Sequence, residues 1–381
     1  MKRIYCFILC AFFVFLSLFI PCSALSAHSA IVLDSASGRI LYSHNDQQQM
    51  GMASTTKIIT AITALENSDI NSVATVSKNA YGVEGSSMYL CLGEKLTLEQ
   101  LLYGLMLVSG NDAATAIAEH VSGSVEKFAE LMNQTALKIG ATNSNFTNPH
   151  GLSDEQHYTT AHDLAKITAY AMKNPKFREI VSTKTKQIPW KDHDYDRHLV
   201  NHNKLLSMYE GCIGVKTGFT KATGRCLVSA VQRNGMTLIC VTLRAPDDWN
   251  DHMSLYDSIF QEYTPYKVKS SGDVLATAEV SNGSAKQIEL VTESDLILPV
   301  KSNEEAQIKI SAIPFENLQA PIKKGDHLGT ASIELKGQIC GEYPLVANQN
   351  IELKKVFNVS GANTFSSSLK KIFFAWITCF Y

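Results

Sequence analysis

The sequence predicts an α+β fold in which helices cover an antiparallel sheet and a small all-β domain follows. Three observations predict it. Strand-like segments stand at both ends of a helix-patterned middle that runs from Ser54 to about Pro175. The period returns to two between Gly214 and Leu243. Beyond Pro265 the chain breaks into short alternating segments separated by turns. With 381 residues there is material for a sizeable core and for two domains.

The amino terminus reads as a targeting segment, residues 1–27. Lys2 and Arg3 precede an apolar run from Ile4 to Ile20, and Pro21 to Ala27 supplies small residues for cleavage between Ala24 and His28. The competing reading is an uncleaved anchor. Cys22 follows Pro21 and makes a poor lipidation site. The catalytic region is expected over residues 28–263. Ala30–Leu33 and Arg39–Tyr42 read as two strands around a polar turn.

Helices are expected to follow. Apolar residues at Leu98, Leu101, Leu102, Leu105 and Met106 form a helical stripe, with Thr97 and Gln100 spaced as a capping box. A break falls at Ser109–Asp112, and a second helix begins at Ala113. Val125–Gly140 and Thr160–Lys173 read as two more, the latter closed by Asn174-Pro175. Phe146–Leu152 is a loop by its Asn-Pro and His-Gly content. Thr183–Asn203 is a polar stretch whose histidines, His193, His198 and His202, lack metal-ligand spacing.

Three strands then read as Gly214–Thr220, Cys226–Gln232 and Met236–Leu243, the last two joined by the hairpin signal Asn234-Gly235. A helix from Trp249 to Tyr263 closes the unit. Residues 264–356 read as the small β domain. Residues 357–381 end in an apolar stretch with Lys370, Lys371, Trp376 and Tyr381. It is about half the ~20 residues a membrane span needs and suits a helix lying at a membrane surface.

Composition narrows the chemistry. A net charge of −2 gives no long-range attraction to nucleic acid, so a nucleic-acid partner is not expected. Of nine cysteines, only Cys91, Cys212, Cys226, Cys240 and Cys340 lie between the leader and the tail. Their odd number and irregular spacing point to buried free thiols rather than a disulfide framework or a zinc site.

Three short motifs carry the functional signal. Ser54-Thr55-Thr56-Lys57 opens a helix and puts a hydroxyl and an amine on one face. The spacing alone is weak: Ser124/Lys127, Ser367/Lys370 and Ser368/Lys371 share it, and a plain helix cap at Ser54 is the bland alternative. Ser124/Lys127 reads as a surface pair on a helix and the other two as membrane-facing tail lysines. Ser109-Gly110-Asn111 lies in the break between helices, and Lys216-Thr217-Gly218 lies on a strand.

The chemistry gives each residue a task. A serine hydroxyl becomes nucleophilic when a neighbour removes its proton, and Lys57 can do so if burial and the charge of Lys216 keep its amine neutral. Ser109 can relay the proton to a leaving nitrogen. Asn111 can hold Lys57 and a substrate amide. Lys216 and Thr217 can bind a terminal carboxylate, and Gly218 admits a substrate backbone along the strand edge. The backbone N–H groups of Ser54 and Phe219 can form an oxyanion hole.

The set Ser-x-x-Lys, Ser-x-Asn, Lys-Thr-Gly resembles the penicillin-recognising serine enzymes. Together with Asn148-Pro149-His150-Gly151-Leu152 and Gly214–Thr220, it is similar to the D-alanyl-D-alanine carboxypeptidases, the low-molecular-mass penicillin-binding proteins. The resemblance spans nearly the whole chain. It implies a transpeptidase/β-lactamase-like catalytic fold and an exported enzyme held at the outer face of the cytoplasmic membrane. It also implies a peptidoglycan stem pentapeptide as substrate and inhibition by β-lactam antibiotics. By that analogy Ser54 is acylated, Lys57 is the base, Ser109 is the second catalytic serine and Lys216 binds substrate. No metal or organic cofactor is implied.

One departure is Arg244, where the family often has glycine. It reads equally as a contact for the substrate carboxylate or as an exposed residue at a strand end. Two other functions share the fold. A β-lactamase of class A would need a loop glutamate, and Glu155 lacks the expected surroundings. A non-catalytic cell-wall binder would have no need of all five polar motif residues.

Overall fold

A computed structural model describes residues 25–354. Most of the expected leader, and the whole of the expected tail at 357–381, lie outside the described residues. The chain divides into two compact units. Among the described residues, one holds residues 25–266 together with Leu298–Gln307, and the other holds Lys267–Ile297 with residues 308–354.

The first unit is built on a five-stranded antiparallel sheet. Its strands are β1 (Ser29–Asp34), β2 (Ile40–His44), β7 (Cys212–Thr220), β8 (Gly224–Arg233) and β9 (Met236–Leu243), in the order β2-β1-β9-β8-β7. Alternation along the strands gives the sheet two apolar faces. Ile31, Leu33, Ile239 and Val241 face the helical cluster, and Val32, Leu238 and Cys240 face the opposite side with Leu255, Tyr256 and Ile259. These last three belong to the closing helix, Asp248–Glu262. The order leaves β7 at an edge, with one side of its backbone free of sheet partners.

The helical cluster comprises α1 (Lys57–Asn67), α2 (Leu98–Leu107), α3 (Asn111–Ser122), α4 (Val125–Ile139), α5 (Ala161–Ala171) and α6 (Pro175–Ser182). Helix α1 is buried from Lys57 through Ala64 and packs against α3, α4 and α5. Its environment is therefore apolar on nearly every side. The Thr97/Gln100 capping box forms as expected at the start of α2, and Gly140 closes α4 in the left-handed conformation.

Some segments differ from the sequence expectation. Two short strands, β3 (Val73–Thr75) and β4 (Lys95–Thr97), pair within the helical middle. The polar stretch after Thr183 contains a hairpin of β5 (Thr185–Ile188) and β6 (Arg197–Val200). Asn174-Pro175 ends α5 but also starts α6: the Asn174 side chain accepts from the N–H groups of Lys176 and Phe177. Proline is suited to that first position because no helical partner awaits its missing N–H. Of the five described cysteines, all free, only Cys226 and Cys240 are fully buried.

The second unit is all-β. Strands β10 (Val274–Glu279), β11 (Gln287–Thr292), β12 (Ile308–Pro314), β13 (His327–Leu335) and β14 (Gln338–Ala347) form an antiparallel sheet in the order β10-β11-β14-β13-β12. Its core is apolar, centred on Ile288, Leu290, Ala331 and Leu345.

Candidate active site

The Ser54 stretch is a tight 3₁₀ turn, Ala53–Thr56, that runs directly into α1. Ser54 is not a helix cap, since no side-chain cap bond is made at the start of either element. The turn begins with strain: Ala53 has φ 49°, a left-handed value that costs a non-glycine residue about 1–2 kcal/mol. Several contacts hold it. Thr55 Oγ1 donates to the Met52 carbonyl at 2.6 Å, and Thr56 Oγ1 donates to the Ala53 carbonyl at 2.8 Å.

A second layer lies behind Thr56. The Thr147 N–H donates to His157 Nδ1 at 3.0 Å, so the ring proton sits on Nε2 and is donated to Thr56 Oγ1 at 2.8 Å. Burial, with the nearby Lys57 acting the same way against Asp154, pushes the His157 pKa down to about 4. The ring is thus a neutral, single-tautomer strut. Gly151 closes the same corner. Its φ is +85°, and a β-carbon there would lie 1.9 Å from the Ala53 carbonyl oxygen.

Lys57 is fully buried, and its Nζ meets three oxygens: Ser54 Oγ at 3.0 Å, Asn111 Oδ1 at 2.7 Å and the His150 carbonyl at 2.7 Å. The Asn111 amide is oriented by its own Nδ2, which donates to the Glu84 carbonyl at 2.5 Å. Two of the three partners can only accept. A neutral amine therefore gives its two N–H groups to Asn111 and His150, and its lone pair is left facing the Ser54 hydroxyl. The Lys57 pKa lies well below the ordinary lysine value. Burial is the main cause, the charge of Lys216 adds to it, and Asp112 opposes it.

Lys216 is also buried, and burial lowers its pKa to about 7. Its Nζ donates to the Thr217 carbonyl at 3.0 Å. The field expected from this residue thus depends on pH, and ranks second to burial in tuning Lys57. Gly218 comes so close to the nucleophile turn that a β-carbon would sit 3.1 Å from the Ser54 and Thr55 nitrogens. Phe219 follows with its side chain exposed. Edge strand β7 therefore runs alongside the turn and leaves a slot between them.

Ser109 sits at φ 63° in the break between α2 and α3, with its Oγ buried and without a hydrogen-bond partner. An orphaned buried hydroxyl costs roughly 1–3 kcal/mol. Ser54, Ser109, Thr217, Gly218 and Phe219 line one cleft of about 690 Å³. All eight residues singled out in the three motifs and the following strand position line this cleft or bind a residue that does.

Arg244 is elsewhere. It is exposed, has φ 50°, donates to the Ala222 carbonyl at 3.2 Å, and lines a separate pocket with His28 and Gln48. That pocket is lined by Ala53, Gly151 and Leu152 but by none of the eight residues given chemical tasks, so the chemistry assigns the site to the other one. The arginine in the cleft is Arg225, paired with Asp248 at 2.8 Å and with Trp249 alongside. It stands across the β7–β8 register from Phe219. Sequence reasoning also passed over the His150 carbonyl, His157, Thr56 and Ser86. Thr56, His150 and Gly151 stand within segments quoted for the resemblance, but without these roles.

The chain is similar to known proteins over most of its length. The family model described as D-alanyl-D-alanine carboxypeptidase matches residues 20–247, and that of the penicillin-binding protein 5 C-terminal domain matches residues 263–353. The D-alanyl-D-alanine carboxypeptidase DacF of Bacillus subtilis is 31% identical over 335 residues, 86% of each chain. The D-alanyl-D-alanine carboxypeptidase of Streptomyces sp. K15 is 37% identical over 238 residues, covering 58% of this chain and 81% of that one. Penicillin-binding protein 5 of Haemophilus influenzae superposes with a TM-score of 0.68 at 28% identity, covering 87% of this chain and 99% of that one.

Proposed function

As a member of the D-alanyl-D-alanine carboxypeptidase family, this chain is a serine-type carboxypeptidase, and we propose that it works through an acyl-enzyme on Ser54. The β-lactamase and non-catalytic alternatives have no support among the relatives, which are carboxypeptidases by name. The substrate read for this site is the peptidoglycan stem pentapeptide, and β-lactams are its inhibitors.

Lys216, Thr217 and Arg225 hold the terminal carboxylate, with Arg225 in the role considered for Arg244. The substrate backbone lies along β7, admitted by Gly218. Ser54 Oγ attacks the scissile carbonyl carbon as its proton passes to the neutral Lys57 amine. The N–H groups of Ser54 and Phe219 receive the oxyanion. Ser109 passes its proton to the departing nitrogen and is reprotonated by Lys57, which becomes neutral again; the C–N bond breaks and D-alanine leaves. Water then attacks the ester as Lys57 takes its proton, and that proton goes to the departing Ser54 oxygen. A β-lactam acylates Ser54 by the same attack, but its leaving nitrogen stays tethered.

The observation that carries this reading is the triple contact of Lys57 Nζ with Ser54 Oγ, Asn111 Oδ1 and the His150 carbonyl, which in the neutral amine leaves the lone pair for the Ser54 hydroxyl. A labelled penicillin offered to wild type and to Ser54→Ala tests it, alongside release of D-alanine from a peptide ending in D-Ala-D-Ala. Wild type takes one label and releases D-alanine, and the variant does neither. Labelling of the variant would remove Ser54 from the role.

The reading extends to place and layout. Residues 28–263 carry the catalysis and 264–356 form the trailing β domain. The leader exports the chain, and residues 357–381 hold it at the outer membrane surface. Its support is the sequence pattern alone. Fractionation of the full chain and of one ending at residue 356 tests this: the first sediments with membranes and the second does not. Equal sedimentation would end the anchor assignment.

A further inference from the structure

Ser86 and Val200 line the cleft, and two exposed tyrosines near them in sequence, Tyr89 and Tyr195, are linked through Arg197 and Trp190 as a candidate aromatic shelf. We propose that this shelf binds the sugar rings of the glycan from which the stem peptide hangs. The proposal rests on the peptidoglycan reading above and adds a second contact to it.

Tyr89 is the first reason. It has φ 61°, a conformation that is an outlier for a bulky residue and that asparagine or glycine would occupy more easily. Strain of this kind persists where the surroundings over-determine it, and here they do. The Tyr89 N–H donates to Ser87 Oγ at 2.8 Å, and its carbonyl accepts from Arg197 at 3.0 Å. The N–H groups of Met88 and Leu90 both donate to the Asp112 carboxylate at 3.1 Å, next in sequence to Asn111. Yet the ring itself is 70% exposed. The fold fixes the backbone firmly and gains no burial from the side chain.

Tyr195 is the second. It is 60% exposed and stands edge-on to Trp190, with ring centroids 5.8 Å apart. Trp190 itself stacks on His193, with ring centroids 4.2 Å apart, and the Arg197 guanidinium lies 5.1 Å from its ring centroid. Arg197 is buried and holds both oxygens of Glu94, at 2.8 and 2.7 Å. The same arginine therefore braces both tyrosines.

Reach and charge choose the occupant. Tyr89 is three residues from cleft-lining Ser86, at most about 10 Å of chain. Four residues separate the sugar from the scissile bond of a stem pentapeptide, at most about 14 Å when extended. Asp192, Asp194 and Asp196 flank Tyr195 and are exposed. Such a rim repels anionic lipid or nucleic acid and offers acceptors to sugar hydroxyls and acetamido N–H groups, while the tyrosine faces suit the apolar faces of pyranose rings.

The test compares two substrates, a free pentapeptide and the same peptide on its disaccharide, in wild type, Tyr195→Ala and the Tyr89→Ala/Tyr195→Ala pair. In wild type the sugar-bearing substrate has the higher kcat/KM. The double variant loses about 10-fold on it, and keeps its rates on free peptide and on penicillin. Tyr195→Ala, remote from the strained backbone, shows a smaller loss in the same direction. Peptide-free glycan oligomers shift the tyrosine resonances of the Ser54→Ala protein and do not shift those of the triple variant. Equal kcat/KM for the two substrates in wild type would overturn the proposal, as would equal losses on both. A change in oligomeric state in the double variant would assign the shelf to self-contact instead. Failure of wild type to acylate at all would strike the Ser54 reading, a result distinct from any of these.

Discussion

The two units of the chain fill their interiors differently. Among the described residues, Thr292 is the one buried polar side chain of the second unit, whose core is otherwise aliphatic. The first unit buries two lysines, two asparagines, the motif serine Ser109, two histidines and several carboxylates. The backbone repeats the contrast. In the second unit the non-glycine residues with positive φ are Asn282, Asn317 and Lys336, whereas in the first they include Ala53, Tyr89 and Ser109. Asparagine tolerates that conformation in turns, but alanine, tyrosine and serine do so only when held. Buried charge and held strain thus mark one unit as chemical, and ordinary packing marks the other as structural.

The sharpest way to break that contrast is at Lys57. Lys57→Arg retains the charge and removes a proton acceptor, and penicillin acylation should fall by about 10³-fold or more. Near-normal acylation, followed by mass spectrometry, would mean that another group is the base.

The pH profile follows next. Lys57 must be neutral, so kcat/KM declines about tenfold per unit as pH falls below its lowered pKa. Lys216 must be charged to receive a carboxylate, so activity also declines as pH rises past about 7 in the free enzyme. A rate that climbs steadily to pH 10 would contradict both assignments.

A smaller effect separates the arginines. Arg225→Ala should raise KM for the peptide by about 10-fold, the scale of one lost charge-assisted hydrogen bond, whereas Arg244→Ala should leave it near wild type. The reverse ranking would return the carboxylate to Arg244. The smallest effect on chemistry is expected in the second unit. Leu290 is fully buried there, and Leu290→Ala should cost that unit about 2–5 kcal/mol in denaturant unfolding while acylation at Ser54 stays unchanged.

Much of this was legible in the residues. The period switches located the sheet and the helices, and the three motifs located most of the cleft, because side-chain types there are dictated by chemistry. What escaped had physical reasons. The His150 carbonyl belongs to the backbone, so no residue type announces it. Asn174-Pro175 fits both a helix end and a helix start, and only the packing of α6 decides between them. Arg225 and Arg244 each lie at a strand end, and which one faces the slot depends on the β7–β8 register and on the left-handed turn at Arg244. His157 lies between the loop read at Phe146–Leu152 and the helix read from Thr160, and no pattern marks it because its role runs through Thr56, a contact 101 residues distant in sequence.

The central claim is that Lys57 carries a neutral amine aimed at Ser54 while the site is at work. Its titration by NMR, with label at the lysine side chain and Lys57→Met as the assignment control, tests this most directly. Of the two buried lysines, the structure predicts that the one whose resonance is lost in Lys57→Met is already deprotonated at the pH of maximal acylation, far below the ordinary lysine value of about 10.4. A Lys57 amine that remains protonated throughout the range of full activity would contradict it.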